Sequence, residues 1–243
     1  MNFLRAAGFS YGQTTIVVLF IASVLIPFGC QRAGSETGET ASMTAQRRCD
    51  PVAVPWPRKW HVAPRRSNAP PPIRFRFPPP LNEYSGEVSL LKGDLTLGEG
   101  GSLAEATGAF EVDIAHVTMG EPDLDENMRN NVEALESKRF PQSRFVLQRI
   151  QSTSPALEPE TAVPAILQGT FELKGVKTPL AAMGTIRAMQ DAAGAARLEF
   201  DLRFRLEQLQ EKFGIVGPSG PQETAGNQLF FELHFVMEPA PPE

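Results

Sequence analysis

Two stretches of strict alternation constrain this chain more than any other feature. In residues 198–206, Leu198, Phe200, Leu202, Phe204 and Leu206 share one parity, while Glu199, Asp201, Arg203 and Arg205 share the other. Leu229, Phe231, Leu233, Phe235 and Met237 repeat the pattern. A period of two marks a strand with one buried and one wet face. A parallel sheet covered by helices on both sides needs nearly continuous apolar strands, so the alternation favours an antiparallel barrel or sandwich.

Shorter segments extend the pattern. Ile73, Phe75 and Phe77 alternate with Arg74 and Arg76 between two proline triplets. Proline has no N–H for a ladder, so this strand must lie at an edge or stop at both triplets, and the barrel seam here is expected to close imperfectly. Residues 88–97 read as two strand pieces broken at Gly93. Residues 166–173 and 180–189 read as a hairpin around Lys174, Gly175 and Val176. Residues 152–164 and 208–227 read as loops.

Residues 110–147 form a distinct unit. Phe110, Val112 and Ile114 alternate with Glu111, Asp113 and Ala115, and Thr118, Gly120 and Pro122 end that strand. Leu124, Met128, Val132 and Leu135 then share one face of a short helix over 124–135. Asp123 is placed to cap it, and Asp125 and Glu126 sit in its first turn, where the helix dipole favours negative charge. Phe140 and Pro141 end the excursion, and Phe145 and Leu147 open a new strand.

The order Val112-Asp113-Ile114, Thr118, Gly120, Asp125, Met128-Arg129, Phe140-Pro141, Phe145 resembles the central signature of the YceI-like family. Gly169, Phe171, Leu173, Gly175-Val176 and Thr178-Pro179-Leu180 resemble its later strand and turn, and Phe213-Gly214-Ile215 a third, looser match. Trp60, His61, Val62, Pro64 and Ser67 faintly resemble the first strand, and the proline triplets depart from the family pattern. The resemblance implies an exported, all-β, antiparallel lipocalin-like barrel over 58–240 with one short helical excursion, in a family where some members hold a polyisoprenoid in the lumen.

Residues 1–30 read as a targeting segment. Arg5 precedes an apolar run over 14–28, short for a membrane span, and Gly29-Cys30 resembles the end of a lipobox. Cys30 is the candidate lipidation site, although Pro27 and Phe28 depart from the usual box. Cleaved secretion and an uncleaved anchor are the alternatives. Each places the domain in the cell envelope, in a periplasmic or other extracytoplasmic setting. Residues 31–57 read as a flexible tether. The tether's Cys49 reads as an incidental thiol, with a reactive one as the alternative. A basic stretch over 47–76 reads as solubilising, with contact to anionic lipid heads as the alternative.

The chemistry on offer is sparse. His61, His116 and His234 lack metal-ligand spacing. Glu121, Asp123, Asp125 and Glu126 do not follow a calcium loop. No phosphate loop, serine elbow or Cys-x-x-Cys occurs. No catalytic residue, metal ligand or cofactor is expected, and the chain is read as a non-enzyme. A formal charge of −5 argues against nucleic acid. What remains is an apolar interior. Phe110, Val112, Ile114, Met128, Val132, Phe145, Phe171, Phe200, Phe204, Phe231 and Phe235 are the candidate ligand-binding residues, with residues 120–141 as lid or rim. Alternation does not decide between a filled and a hollow barrel; the resemblance implies a hollow one, whose expected guest is a polyisoprenoid or fatty-acyl lipid. The same rings could instead fill the barrel, which would leave an envelope protein–protein module. A carrier of isoprenoid quinone for a membrane cytochrome is a further alternative. The partners expected are an apolar small molecule and, through the N-terminal lipid or anchor, a membrane. A dimer stays open.

Overall fold

The computed structural model describes residues 56–81, 83–191, 193–217 and 224–241. The expected leader, Cys30, Cys49 and almost all of the tether lie outside these residues. Within them, eleven strands hydrogen-bond into one antiparallel sheet.

The sheet closes through its broken strands. β1 (Lys59–Val62) and β2 (Ile73–Arg76) both lie along β11 (Gln228–Pro239), with Val62 opposite Met237 and Ile73 opposite Leu233. The Ala63 amide donates to the Val236 carbonyl at 2.8 Å, and the His234 amide to the Pro72 carbonyl at 2.9 Å. β1 and β2 are therefore two halves of one stave, with residues 64–71 looped out. β3 (Ser85–Val88) with β4 (Leu91–Thr96), and β5 (Thr107–Asp113) with β6 (Val117–Thr118), form two more broken staves. β7 (Gln142–Ser152), β8 (Ala162–Leu173), β9 (Val176–Gln190), β10 (Ala196–Glu207) and β11 are unbroken, so the wall is a closed eight-stranded barrel.

Several expectations need correction. β2 is paired on both sides, so it is not an edge, and it does stop at the proline triplets. The seam is closed by hydrogen bonds rather than imperfect. The break in the next stave falls at Ser89-Leu90, because Gly93 stays in register opposite Phe110 within β4. The helix α1 spans Pro122–Asn130 and not 124–135. Glu121 occupies its N-cap without a side-chain hydrogen bond, and Asp123 sits in the first turn. The helix stops because the Asn131 side chain accepts the Glu133 amide at 2.9 Å, a local turn that competes with helical bonding. The amides of Asn131, Leu135 and Ser137 then fold back onto the carbonyls of Asn127, Met128 and Arg129. A short helix α2 (Leu209–Phe213) with a left-handed Gly214 cap interrupts the loop expected at 208–227.

One half of the barrel is solid. Leu198, Phe200, Ile186, Ala188 and Met237 are wholly buried, and Trp60, Leu95, Leu97 and Leu103 pack there with them. Toward the other end Val112, Phe145, Phe171, Leu180, Phe204, Phe231 and Leu233 are only partly buried. In β10 and β11 the rings belong to one inward-facing row, with Phe204 opposite Phe231 and Phe200 opposite Phe235. The same parity is thus dry at one level and reachable at another.

This difference predicts unequal costs of truncation. Phe200→Ala should cost about 3–5 kcal/mol, as in a packed core. Phe204→Ala should cost clearly less, since its ring already borders open space. Arg203→Ala, on the wet face, should stay within about 0.5 kcal/mol. Urea unfolding of the three variants measures this, and equal losses for the two rings would mean that both levels are filled.

Candidate ligand-binding site

The reachable level of the lumen is a chamber of about 470 Å³. Its walls include Ile73, Phe75, Val88, Val112, Ile114, Phe171, Leu173, Phe204, Leu206, Leu229 and Phe231. Leu124 and Met128 of α1, Ala134 and Leu135 after it, and Ile215 and Val216 after α2 complete the mouth. A narrower branch of about 80 Å³ continues inward past Phe110, Phe145, Leu167, Ala182, Leu202, Leu233 and Phe235. Ile73, Val112, Ser143, Phe171 and Phe204 line both spaces and so mark their junction. Among the described residues Ser143 is the one buried polar side chain, and its hydroxyl donates to the Glu172 carbonyl at 2.9 Å.

Rings are packed in two runs. Phe204 stacks on Phe231 with centroids 4.5 Å apart, and Phe75 and Phe171 lie 5.9 and 6.1 Å from that pair. Deeper, Phe235 stacks on Phe200 at 4.8 Å and meets Phe110 at 5.7 Å. Three glycines make room for rings on the wall. A Cβ at Gly86 would strike the Phe75 ring, one at Gly93 the Phe110 ring and one at Gly169 the Phe145 ring. Each ring therefore lies over a glycine of a neighbouring strand, and a Cβ there would also meet a backbone carbonyl, that of Thr118, Ala109 or Val146 respectively.

The lid is tied at both ends. Thr118 donates to Asp125 Oδ2 at 2.6 Å and the Met119 amide to Asp125 Oδ1 at 2.5 Å. Arg129 donates to the Ala115 carbonyl at 3.1 Å. At the far end Lys174 donates to the Val132 carbonyl at 2.7 Å, and the Val216 amide to the Glu133 carbonyl at 2.8 Å. Lys174 and Gly175 both have positive φ, at 50° and 74°, so the β8–β9 hairpin turns in two residues and aims this lysine at the lid. Desolvation lowers the Lys174 pKa most, with Glu136 opposing and Arg139 adding to the shift. Burial alone pushes the Asp125 carboxyl up. The Thr118 hydroxyl, the Met119 amide, the Arg129 guanidinium and the Gly120 amide outweigh it, and the net pKa is lowered.

Of the residues expected at the site, Phe110, Phe145 and Phe235 line the branch. Val112, Phe171 and Phe204 line both spaces, and Ile114, Met128 and Phe231 line the chamber. Two fall elsewhere. Phe200 is fully buried in the floor beneath Phe235. Val132 follows the end of α1 and is 64% exposed, because the helix that would have turned it inward stops at Asn130. Phe75, Phe77, Val88 and Ile215 are among the lining residues that were not expected at the site. Phe75 and Phe77 carried the alternation that would have found them, whereas the inward turn of Ile215 depends on α2. A larger hollow of about 630 Å³ lies outside the wall, over Arg74, Arg76, Glu87, Phe230 and Glu232. Its charges of both signs suit solvent rather than an apolar guest. Among the described residues no three His, Cys, Asp or Glu side chains come together as a metal set.

A closed eight-stranded antiparallel barrel with a lidded apolar lumen defines the class. The model of the YceI-like domain matches residues 60–236, and the chain belongs to that family. Among solved structures it is similar to BcnA of Burkholderia cenocepacia, with 13% identity, a TM-score of 0.53, and 68% of this chain and 94% of that one covered. It is also similar to a YceI protein of Campylobacter jejuni, with 15% identity, a TM-score of 0.51, and 63% and 83% covered. At such identities these likenesses speak for the fold. None of the curated proteins matches the chain.

The Asp125 clamp has a pH signature. Its folded pKa lies below the ordinary carboxylate value. The stability it contributes is therefore complete above the unfolded value, about 4, and is lost as pH falls through the folded value. The protection factor of the Met119 amide against hydrogen exchange, relative to its intrinsic rate at each pH, should hold down to about pH 4 and fall below it. In Asp125→Ala the protection should be low throughout. Equal protection in both proteins would show that the clamp does not hold the lid.

Proposed function

We propose that this protein holds one long-chain apolar lipid, of isoprenoid or fatty-acyl type, in the barrel lumen and performs no reaction on it. The observation that carries the reading is the chamber itself. Val112, Phe171, Phe204 and Phe231 line it from a closed wall and stay partly accessible, beneath a lid whose inner face is Leu124, Met128 and Leu135. Each buried methylene of a guest is worth about 0.8 kcal/mol, so a chain of ten or so carbons outweighs the entropy lost on association. Met128 suits a flexible guest because an unbranched thioether adapts to irregular shapes. Family membership supports the same reading.

Binding of a fluorescent fatty-acyl or polyprenyl probe tests it. Met128→Trp should fill the mouth and weaken binding at least about tenfold while the melting temperature holds, which corresponds to about 1.4 kcal/mol. Val132→Trp, on the solvent side, should bind as the unaltered protein does. If the unaltered protein takes up no probe and organic extraction releases nothing apolar, the proposal fails and a filled interaction module takes its place.

The proposal places the barrel in the cell envelope, tethered by residues 31–57 to a lipid on Cys30. Support comes from the apolar run that ends at Gly29-Cys30. Metabolic labelling with an acyl analogue should disappear in Cys30→Ala, and persistent labelling would contradict it. One acyl chain anchors only marginally, so stable attachment calls for more than one.

A further inference from the structure

We infer that the lid opens along one edge only: α1 is an axle that stays on the rim, and Lys174 is the latch that holds the free edge shut. This rests on the lipid-binding reading and specifies how a guest enters and leaves.

The pinned edge runs along α1. Asp125 and Arg129 stand four residues apart, on one face of the helix. Asp125 accepts from the Thr118 hydroxyl and the Met119 amide, and Arg129 donates to the Ala115 carbonyl. The chain returns to the wall beside them, where the Ile114 amide donates to the Pro141 carbonyl at 2.9 Å. Both covalent ends of the lid therefore leave the wall on this side. The segment after the helix is bonded to it. The amides of Asn131, Leu135 and Ser137 donate to the carbonyls of Asn127, Met128 and Arg129. The Asn131 side chain donates to Asn127 Oδ1 at 2.9 Å, and the Ser137 hydroxyl to Asn130 Oδ1 at 3.0 Å. Residues 122–137 thus form one body that can turn about α1 without breaking its own bonds.

The opposite edge is held by less. Among the described residues, residues 131–137 bond to the rest of the barrel twice: Lys174 Nζ donates to the Val132 carbonyl at 2.7 Å, and the Val216 amide to the Glu133 carbonyl at 2.8 Å. The same ammonium reaches the Gly214 carbonyl at 3.5 Å, so one side chain ties the lid to the loop after α2. Val132 is exposed, so water can take over its carbonyl when the latch releases. Ala134 and Leu135 on one bank of the seam, and Ile215 and Val216 on the other, line the chamber. A parted seam therefore offers an apolar chain an apolar passage, and no strand pair has to break.

Stopped-flow uptake and release of a fluorescent fatty-acyl probe, with hydrogen exchange on the same proteins, tests the latch. Lys174→Met keeps the length of the side chain and removes its donors. Uptake and release should both quicken about tenfold, because a hydrogen bond from a charged donor is lost from the closed lid. Their ratio should move by less than about threefold, since the latch holds the lid with and without a guest alike. The Val216 amide should lose protection while the Met119 amide keeps it. Lys174→Arg, which retains donors, should restore slow exchange of the probe. Release quickening alone would make Lys174 a contact of the guest and overturn the latch. Loss of protection at Val216 and Met119 together, or at neither, also overturns it. If none of the proteins takes up the probe, the lipid-binding reading fails, and hydrogen exchange alone decides the latch.

Discussion

The interior of an eight-stranded barrel is only as wide as its own side chains, so the placement of a few aromatic rings decides whether it is solid or hollow. In this protein the decisive contact is ring against glycine. Phe75, Phe110 and Phe145 each lie over a glycine of a neighbouring strand, a position that a single methyl group would deny them. Seated over those glycines, the rings remain wall. At the other end Phe200 projects into the middle and stacks on Phe235, and there they become floor. The chamber, the branch and the lid all follow from this division.

The lid then needs a fixed position over the hollow half. The broken stave β5–β6 supplies the hinge point: its ladder with β7 ends at Asp113 opposite Gln142, and the chain leaves the wall for residues 119–141. Asp125 binds it back through Thr118 and Met119, and Arg129 through the Ala115 carbonyl. The spacing Asp125, Met128, Arg129 thereby acquires physical meaning. On one helical turn it presents two polar anchors to the rim and one adaptable apolar side chain to the chamber. Lys174 does the same at the opposite side by reaching from a tight turn to the Val132 carbonyl.

Much of the fold was legible in the sequence because a strand's period of two is a local property. The rows of β10 and β11, the β8–β9 hairpin and the strand of Ile73 and Phe75 could all be read from alternation. The seam could not, since closure depends on β11 pairing with β1 and β2 at once, across a loop of eight residues whose prolines suggested an edge. The end of α1 was also hidden. Val132 continued the apolar spacing, but the Asn131 side chain stops the helix by taking the Glu133 amide. For the site, parity told which residues face inward and not at which level. That is why Phe204 and Phe200, four residues apart in one row, were assigned alike although one borders the chamber and the other seals it.

The central claim is a barrel solid at one end and hollow at the other. Diffraction from crystals under xenon pressure, after organic extraction of the protein, tests it most directly, because xenon enters dry apolar cavities and leaves packed interiors empty. The account predicts strong xenon density beside Phe204, Phe231 and Met128, weaker density in the branch near Leu202, and none between Phe200 and Trp60. Density absent from the chamber, or present below Phe200, would contradict it.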